Sequence, residues 1–149
     1  MITWHLLPFS ELTTVQLYQL LKLRIDIFVV EQACPYPELD DKDHMSGVRH
    51  LLGYQDGNII ACARLIPPGI SYPGSSIGRI ATHKCIRGEG AGHQLLSYAI
   101  EQCCHLWPDT PIEIGAQTHL KTFYHQYGFV ETSEPYLEDG IPHIDMKRV

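Results

Sequence analysis

Basic side chains are scarce in this sequence. Lysine and arginine number 11 against 17 aspartates and glutamates, which leaves a net charge of -6 with histidine neutral. Binding to nucleic acid through a broad basic face is therefore not expected. Long apolar runs are also missing. None approaches the roughly 20 residues that a membrane-spanning helix needs, so no membrane partner is expected. No basic-then-apolar segment opens the chain, so no secretory leader is expected. The five cysteines, Cys34, Cys62, Cys85, Cys103 and Cys104, form an odd set without framework spacing. They read as free thiols in a reducing, cytoplasmic setting. No Cys-x-x-Cys or His-Glu-x-x-His pair is present, and the nine histidines are scattered, so no metal is expected.

What remains is ordinary globular stock. Hydrophobic residues make up 44% and charged residues 19%. Residues 1–149 read as one domain with a sizeable core. No repeat or low-complexity tract interrupts it.

Periodicity and turn chemistry divide the chain. "ITWHLL" reads as a first strand. Thr13 and Gln16 have capping-box spacing ahead of a helix. Val15, Tyr18, Leu21, Ile25 and Phe28 then fall on one face of that helix, with a break or a second short helix expected over Arg24 to Glu31. A proline-bearing acidic loop with Asp40, Asp41 and Asp43 follows, expected to be solvated. Apolar runs on either side of Asp56-Gly57 predict a hairpin. "SIGRIAT" is a strand. Leu95, Leu96, Ala99, Ile100, Cys103 and Trp107 repeat at helical spacing up to Pro108. "PIEIGAQ" is another strand. "LKTFYHQY" is a helix closed by Gly128, and "FVETSEPYL" and "HIDMKRV" are closing strands. The alternation predicts an α/β (α+β) domain with a mixed sheet.

The stretch with the clearest chemistry is "CIRGEGAG", residues 85–92. Strand, glycine loop and helix together make an anion site, because free N–H groups and the positive end of the helix dipole converge there. A Walker A loop would need Gly-Lys-Ser/Thr, but Gly92 is followed by His93-Gln94. A dinucleotide fingerprint fails too, since neither Gly88 nor Gly90 starts a G-x-G-x-x-G.

Arg87-x-x-Gly90-x-Gly92 resembles the pyrophosphate loop of the GNAT superfamily of acyl-CoA-dependent N-acetyltransferases. "FYHQYGF" matches the family's second signature, Tyr-x-x-x-Gly-Phe, at Tyr124, Gly128 and Phe129. "FVVEQACPYPELDDKD", "IGRIATHKCIRGEGAG", "GAQTHLKTFYHQYGF" and "EDGIPHIDM" together resemble its ElaA-like branch across residues 28–146.

The resemblance implies a single GNAT-like domain. Its sheet would be mostly antiparallel, with about six to seven strands and helices on both faces. It implies direct attack of a primary amine on the thioester of acetyl-CoA, without a metal. Pyrophosphate would be held by Arg87, Gly88, Glu89, Gly90, Ala91 and Gly92. The pantetheine arm would run along the backbone of Ile80, Ala81 and Thr82, with Phe123 in the cofactor-binding set. Tyr124 would protonate the leaving thiolate. Deprotonating an alkyl amine of pKa about 10.4 at pH 7 costs about 4.6 kcal/mol, so a base is useful. Glu31 is the first candidate, as a lone carboxylate expected to be desolvated, and His143 the alternative; His50 and His83 are further candidates. The second reading is a GNAT-fold sensor module that holds acyl-CoA without turnover. The amine's identity and the acyl length are left open, as is oligomeric state, a homodimer included.

Overall fold

The computed structural model describes residues 1–149. Eight strands form one sheet, in the order β1 (Thr3–Pro8), β2 (Arg49–Gln55), β3 (Asn58–Ile66), β4 (Ser75–Thr82), β5 (Ile112–Gln117), β8 (Ile141–Arg148) and β6 (Val130–Glu131). β7 (Tyr136–Glu138) pairs with β8 as well. Every neighbouring pair is antiparallel except β4 with β5. The expected sixth strand is therefore two: "FVETSEPYL" breaks between Glu131 and Tyr136, where Pro135 has no N–H for the ladder.

Local chemistry explains the turns. Asp56 and Gly57 both take positive φ (53° and 78°) and close the β2–β3 hairpin. Asp139 and Gly140 (51° and 78°) do the same between β7 and β8. Thr13 and Gln16 form the complete capping box of α1 (Thr14–Ile25). The helix then widens into π-type turns over Asp26–Glu31, where the sequence predicts a break or a second short helix.

Helices cover both faces. α2 (Ala91–Leu106) and α3 (Lys121–His125) enclose the larger core, which contains Leu51, Leu65, Ile77, Leu95, Leu96, Ile114, Tyr124 and Phe129. α1 and the turns that follow it cover the other face through Leu20, Leu23 and Ile27 against Leu52, Cys62 and Ala81.

The expected face of α1 is corrected. Val15 is 63% exposed and Tyr18 73%, whereas Leu20, Leu23, Arg24 and Ile27 are buried. The sheet-facing stripe contains an arginine, which apolar periodicity counts as a surface position. The acidic loop is corrected too. Asp43 is buried and Asp40 half-buried, both paired with arginines; only Asp41 is exposed.

Candidate active site

β4 and β5 pair at only two positions, Ser75 with Ile112 and Ser76 with Glu113. β4 continues to Thr82 and β5 to Gln117, so the strands part and leave a cleft in the middle of the sheet. Backbone groups along that edge of β4 have no sheet partner. Just past the junction β4 carries a bulge. Cys62 faces Ala81 and Arg64 faces Gly78, so two residues, Arg79 and Ile80, oppose Ala63 alone. Arg79 takes φ +51°, unusual for a residue with a side chain. A bulge bends its strand and increases its twist, which turns β4 away from β5.

At the far end of β4 the chain makes a tight turn over Lys84–Ile86 and enters the glycine loop. Gly88 and Gly90 have φ of 87° and 79°, conformations that strain any other residue. Gly90 caps α2 without a side-chain hydrogen bond. The first-turn N–H groups of a 16-residue helix thus have no side-chain acceptor, and the helix dipole adds positive potential there. A Cβ at Gly88 or Gly90 would meet nothing within 4 Å, so the backbone is open to approach. These features fit an anionic diphosphate.

Arg87 donates to Thr82 O at the end of β4 (2.9 and 3.1 Å) and to Glu31 Oε2 (2.7 Å). Glu89 is exposed, Ala91 buried and Gly92 half-buried, with Phe123 lying 3.9 Å from where a Cβ at Gly92 would sit. Ile80 and Thr82 are half-buried and Ala81 is buried, facing α1.

Tyr124 is 6% exposed and wedged edge-on between Phe123 and Phe129. Burial pushes its phenol up to about 12, so it stays protonated throughout the neutral range.

The face of the cleft on the α1 side is closed by contacts between distant segments. Gln117 Nε2 donates to Gln32 Oε1 (3.4 Å), and Cys34 Sγ to Asp139 O (3.4 Å). The segment after α1 thereby reaches both β5 and the β7–β8 turn. Asp145 Oδ1 accepts from Tyr136 (2.7 Å) and Tyr72 (3.1 Å). Both hydroxyls crowd Gly115, where a Cβ would lie 3.0 and 3.1 Å from them.

His143 is 9% exposed and stacks on Tyr136. Its Nδ1 lies 2.7 Å from Ile141 O, a pure acceptor, so Nδ1 carries a proton. In the neutral ring Nε2 then holds the lone pair, 3.5 Å from Glu138 Oε2.

The expectation of a desolvated, lone carboxylate at Glu31 does not hold. Its side chain is 40% exposed and paired with Arg87. His50 is buried and donates through Nε2 to Asp43 O, and His83 accepts from Cys85 N–H; both are structural contacts. Sequence reasoning missed Arg79, Tyr72, Tyr136 and Asp145. One signal was available: Arg64 interrupts the apolar run of β3, and Arg79 stands between Ile77 and Ile80 in β4.

A family model described as Acetyltransferase (GNAT) domain matches residues 28–149. The chain belongs to the GNAT acetyltransferase family. This GNAT chain is similar to Protein ElaA of Escherichia coli (strain K12), with 46% identity over 148 residues, 99% of this chain and 97% of that one. The crystal structure of Escherichia coli ElaA superposes with a TM-score of 0.95 at 45% identity, covering 100% of both chains. An acyl-CoA N-acyltransferase from Pseudomonas aeruginosa superposes at 0.96 with 43% identity, again over 100% of both. The protein is thus a GNAT acyltransferase of the ElaA-like branch.

Proposed function

We propose that the protein transfers the acetyl group of acetyl-CoA to a primary amine, by direct attack within a ternary complex. The observation that carries this reading is the parted β4–β5 seam, which leads at one end to an uncapped helix N-terminus bounded by glycines of positive φ. The loop of residues 87–92 would hold the pyrophosphate. The unpaired edge of β4 at Ile80, Ala81 and Thr82 would pair with the pantetheine amides, and Phe123 would flank the loop. Acetyl-CoA, when bound, supplies the activated thioester.

Tyr124 donates the proton that the leaving thiolate needs. A phenol at about 12 lies above a free thiol at about 8.5, a gap of roughly 5 kcal/mol at about 1.36 kcal/mol per unit. A thiolate in the same buried cleft is also destabilised, which raises its proton affinity and narrows the gap.

The amine would sit on the α1 side, lined by the segment after α1 and the β7–β8 hairpin, which meet through Cys34 and Asp139. His143 Nε2 is the better-placed base, because Nδ1 is committed to Ile141 O, which leaves Nε2 free as the accepting nitrogen of the neutral ring. Glu31 is the second candidate. Asp145 and Glu138 on this face, with the net charge of -6, suit a cationic guest. The test is amine-dependent release of free thiol from acetyl-CoA across a panel of primary amines, with the acetylated product identified by mass.

A further inference from the structure

Three arginines and three carboxylates close a ring of alternating charge beneath the bulge in β4. Arg24 pairs with Glu38 (2.6 Å), Glu38 with Arg79 (2.8 Å) and Arg79 with Asp40 (3.3 Å). Asp40 pairs with Arg64 (2.7 Å), Arg64 with Asp43 (3.0 Å), and Asp43 returns to Arg24 (2.8 Å). The ring ties α1, the acidic loop, β3 and β4 together. Arg24, Arg64, Glu38 and Asp43 are at most 6% exposed.

We propose that this ring is a positioning device, in which Glu38 and Asp40 hold Arg79 at its left-handed φ and so maintain the bulge that keeps β4 apart from β5. The proposal rests on the reading of that seam as the acyl-CoA cleft.

Four observations carry it. Arg79 sits in a conformation that L-residues avoid and that surrounding structure must impose. Glycine is the default where only the backbone matters, yet this position holds an arginine whose every side-chain polar contact is to the ring or its loop. Besides the two carboxylates, Nη2 donates to Glu38 O (3.1 Å), and the guanidinium lies 5.7 Å from the centre of the Tyr36 ring. Tyr36 in turn donates to Glu38 Oε1, fixing the carboxylate from its other side. Finally, a buried charge ring stabilises a fold little better than apolar packing of the same volume, so its gain lies in defined geometry.

The experiment compares Arg79→Gln with Arg79→Gly. Both lose the ring contacts, but only glycine adopts positive φ without strain. Ligand-free crystal structures read the bulge directly. In Arg79→Gln, residue 79 should leave positive φ and β4–β5 pairing should extend beyond Ser76–Glu113. In Arg79→Gly the bulge should persist. Affinity for CoA by calorimetry and turnover follow the same order. Turnover falls by up to about 10²-fold in Arg79→Gln, as for other small misplacements of reacting groups, and only a few-fold in Arg79→Gly. A bulge unchanged in Arg79→Gln overturns the proposal. So does equal loss of CoA affinity in both variants, which assigns the guanidinium a direct or purely stabilising role. Absence of CoA binding in the wild type would defeat the acyl-CoA reading, while the two crystal structures would still decide about the bulge. Asp40→Asn, at a less buried site, gives a milder variant should Arg79→Gln fold poorly; it should shift residue 79 in the same direction.

Discussion

Arg87 and Glu31 meet at 2.7 Å, joining the glycine loop to the π-type turns that end α1. Arg87 is the one cation placed at the start of that loop, and a diphosphate there competes with Glu31 for it. Glu31→Gln should therefore tighten CoA binding by a few-fold, measured by calorimetry. The pair is exposed, so stability should change by less than about 1 kcal/mol. A rate loss confined to neutral pH in this variant would instead make Glu31 the base.

Gly90 has φ +79° at the cap of α2. Gly90→Ala should cost about 1–2 kcal/mol of stability, the usual penalty for a left-handed L-residue. It should also weaken CoA binding. Gly57→Ala, at the tip of the β2–β3 hairpin with φ +78°, carries the same backbone strain away from the cleft. Its thermal stability should fall comparably while its CoA affinity stays at the wild-type value. Equal affinities in the two variants would detach the glycine loop from CoA.

Acid should destabilise the fold in two stages. Burial lowers His50, which stays neutral when folded. An unfolded histidine protonates near 6.5, so this contribution is full above about pH 6.5 and is lost as pH falls toward the folded value. Burial raises Asp40 and Asp43, but the charges and hydrogen bonds of Arg64 and Arg24 outweigh it and hold both below the usual carboxylate range. Their contribution is full above about pH 4 and is lost as pH falls through the folded values. Urea midpoints should fall between pH 7.5 and 5.5 in the wild type. His50→Gln, which keeps a donor for Asp43 O, should flatten that decline. Identical slopes would contradict the assignment.

Tyr124→Phe keeps the ring between Phe123 and Phe129 and removes only the hydroxyl. Fold and CoA affinity should survive. Turnover should drop by about 10²–10⁴, the range typical of a lost general acid. Near wild-type turnover, under conditions where chemistry limits the rate, would remove Tyr124 from the mechanism.

The glycine loop was legible in the sequence because its chemistry is local. Positive φ at Gly88 and Gly90 demands glycine, and a helix must start directly afterwards. The same holds for the two hairpin turns and for the Thr13–Gln16 cap. The buried face of α1 was not legible, because Arg24 is inside only by virtue of Glu38 and Asp43, 14 and 19 residues away. Nor was the bulge at Arg79, which depends on a loop about 40 residues upstream. Asp145 likewise gains its meaning from Tyr72, 73 residues distant. Pairings of this kind leave no periodic mark in a single sequence.

Free-thiol release from acetyl-CoA, measured with and without each primary amine of a panel, tests the central claim most directly. Release should depend on at least one amine, saturate with it, and yield one acetylated product per thiol. Thiol release that no amine stimulates, at the same rate in wild type and Tyr124→Phe, would contradict it.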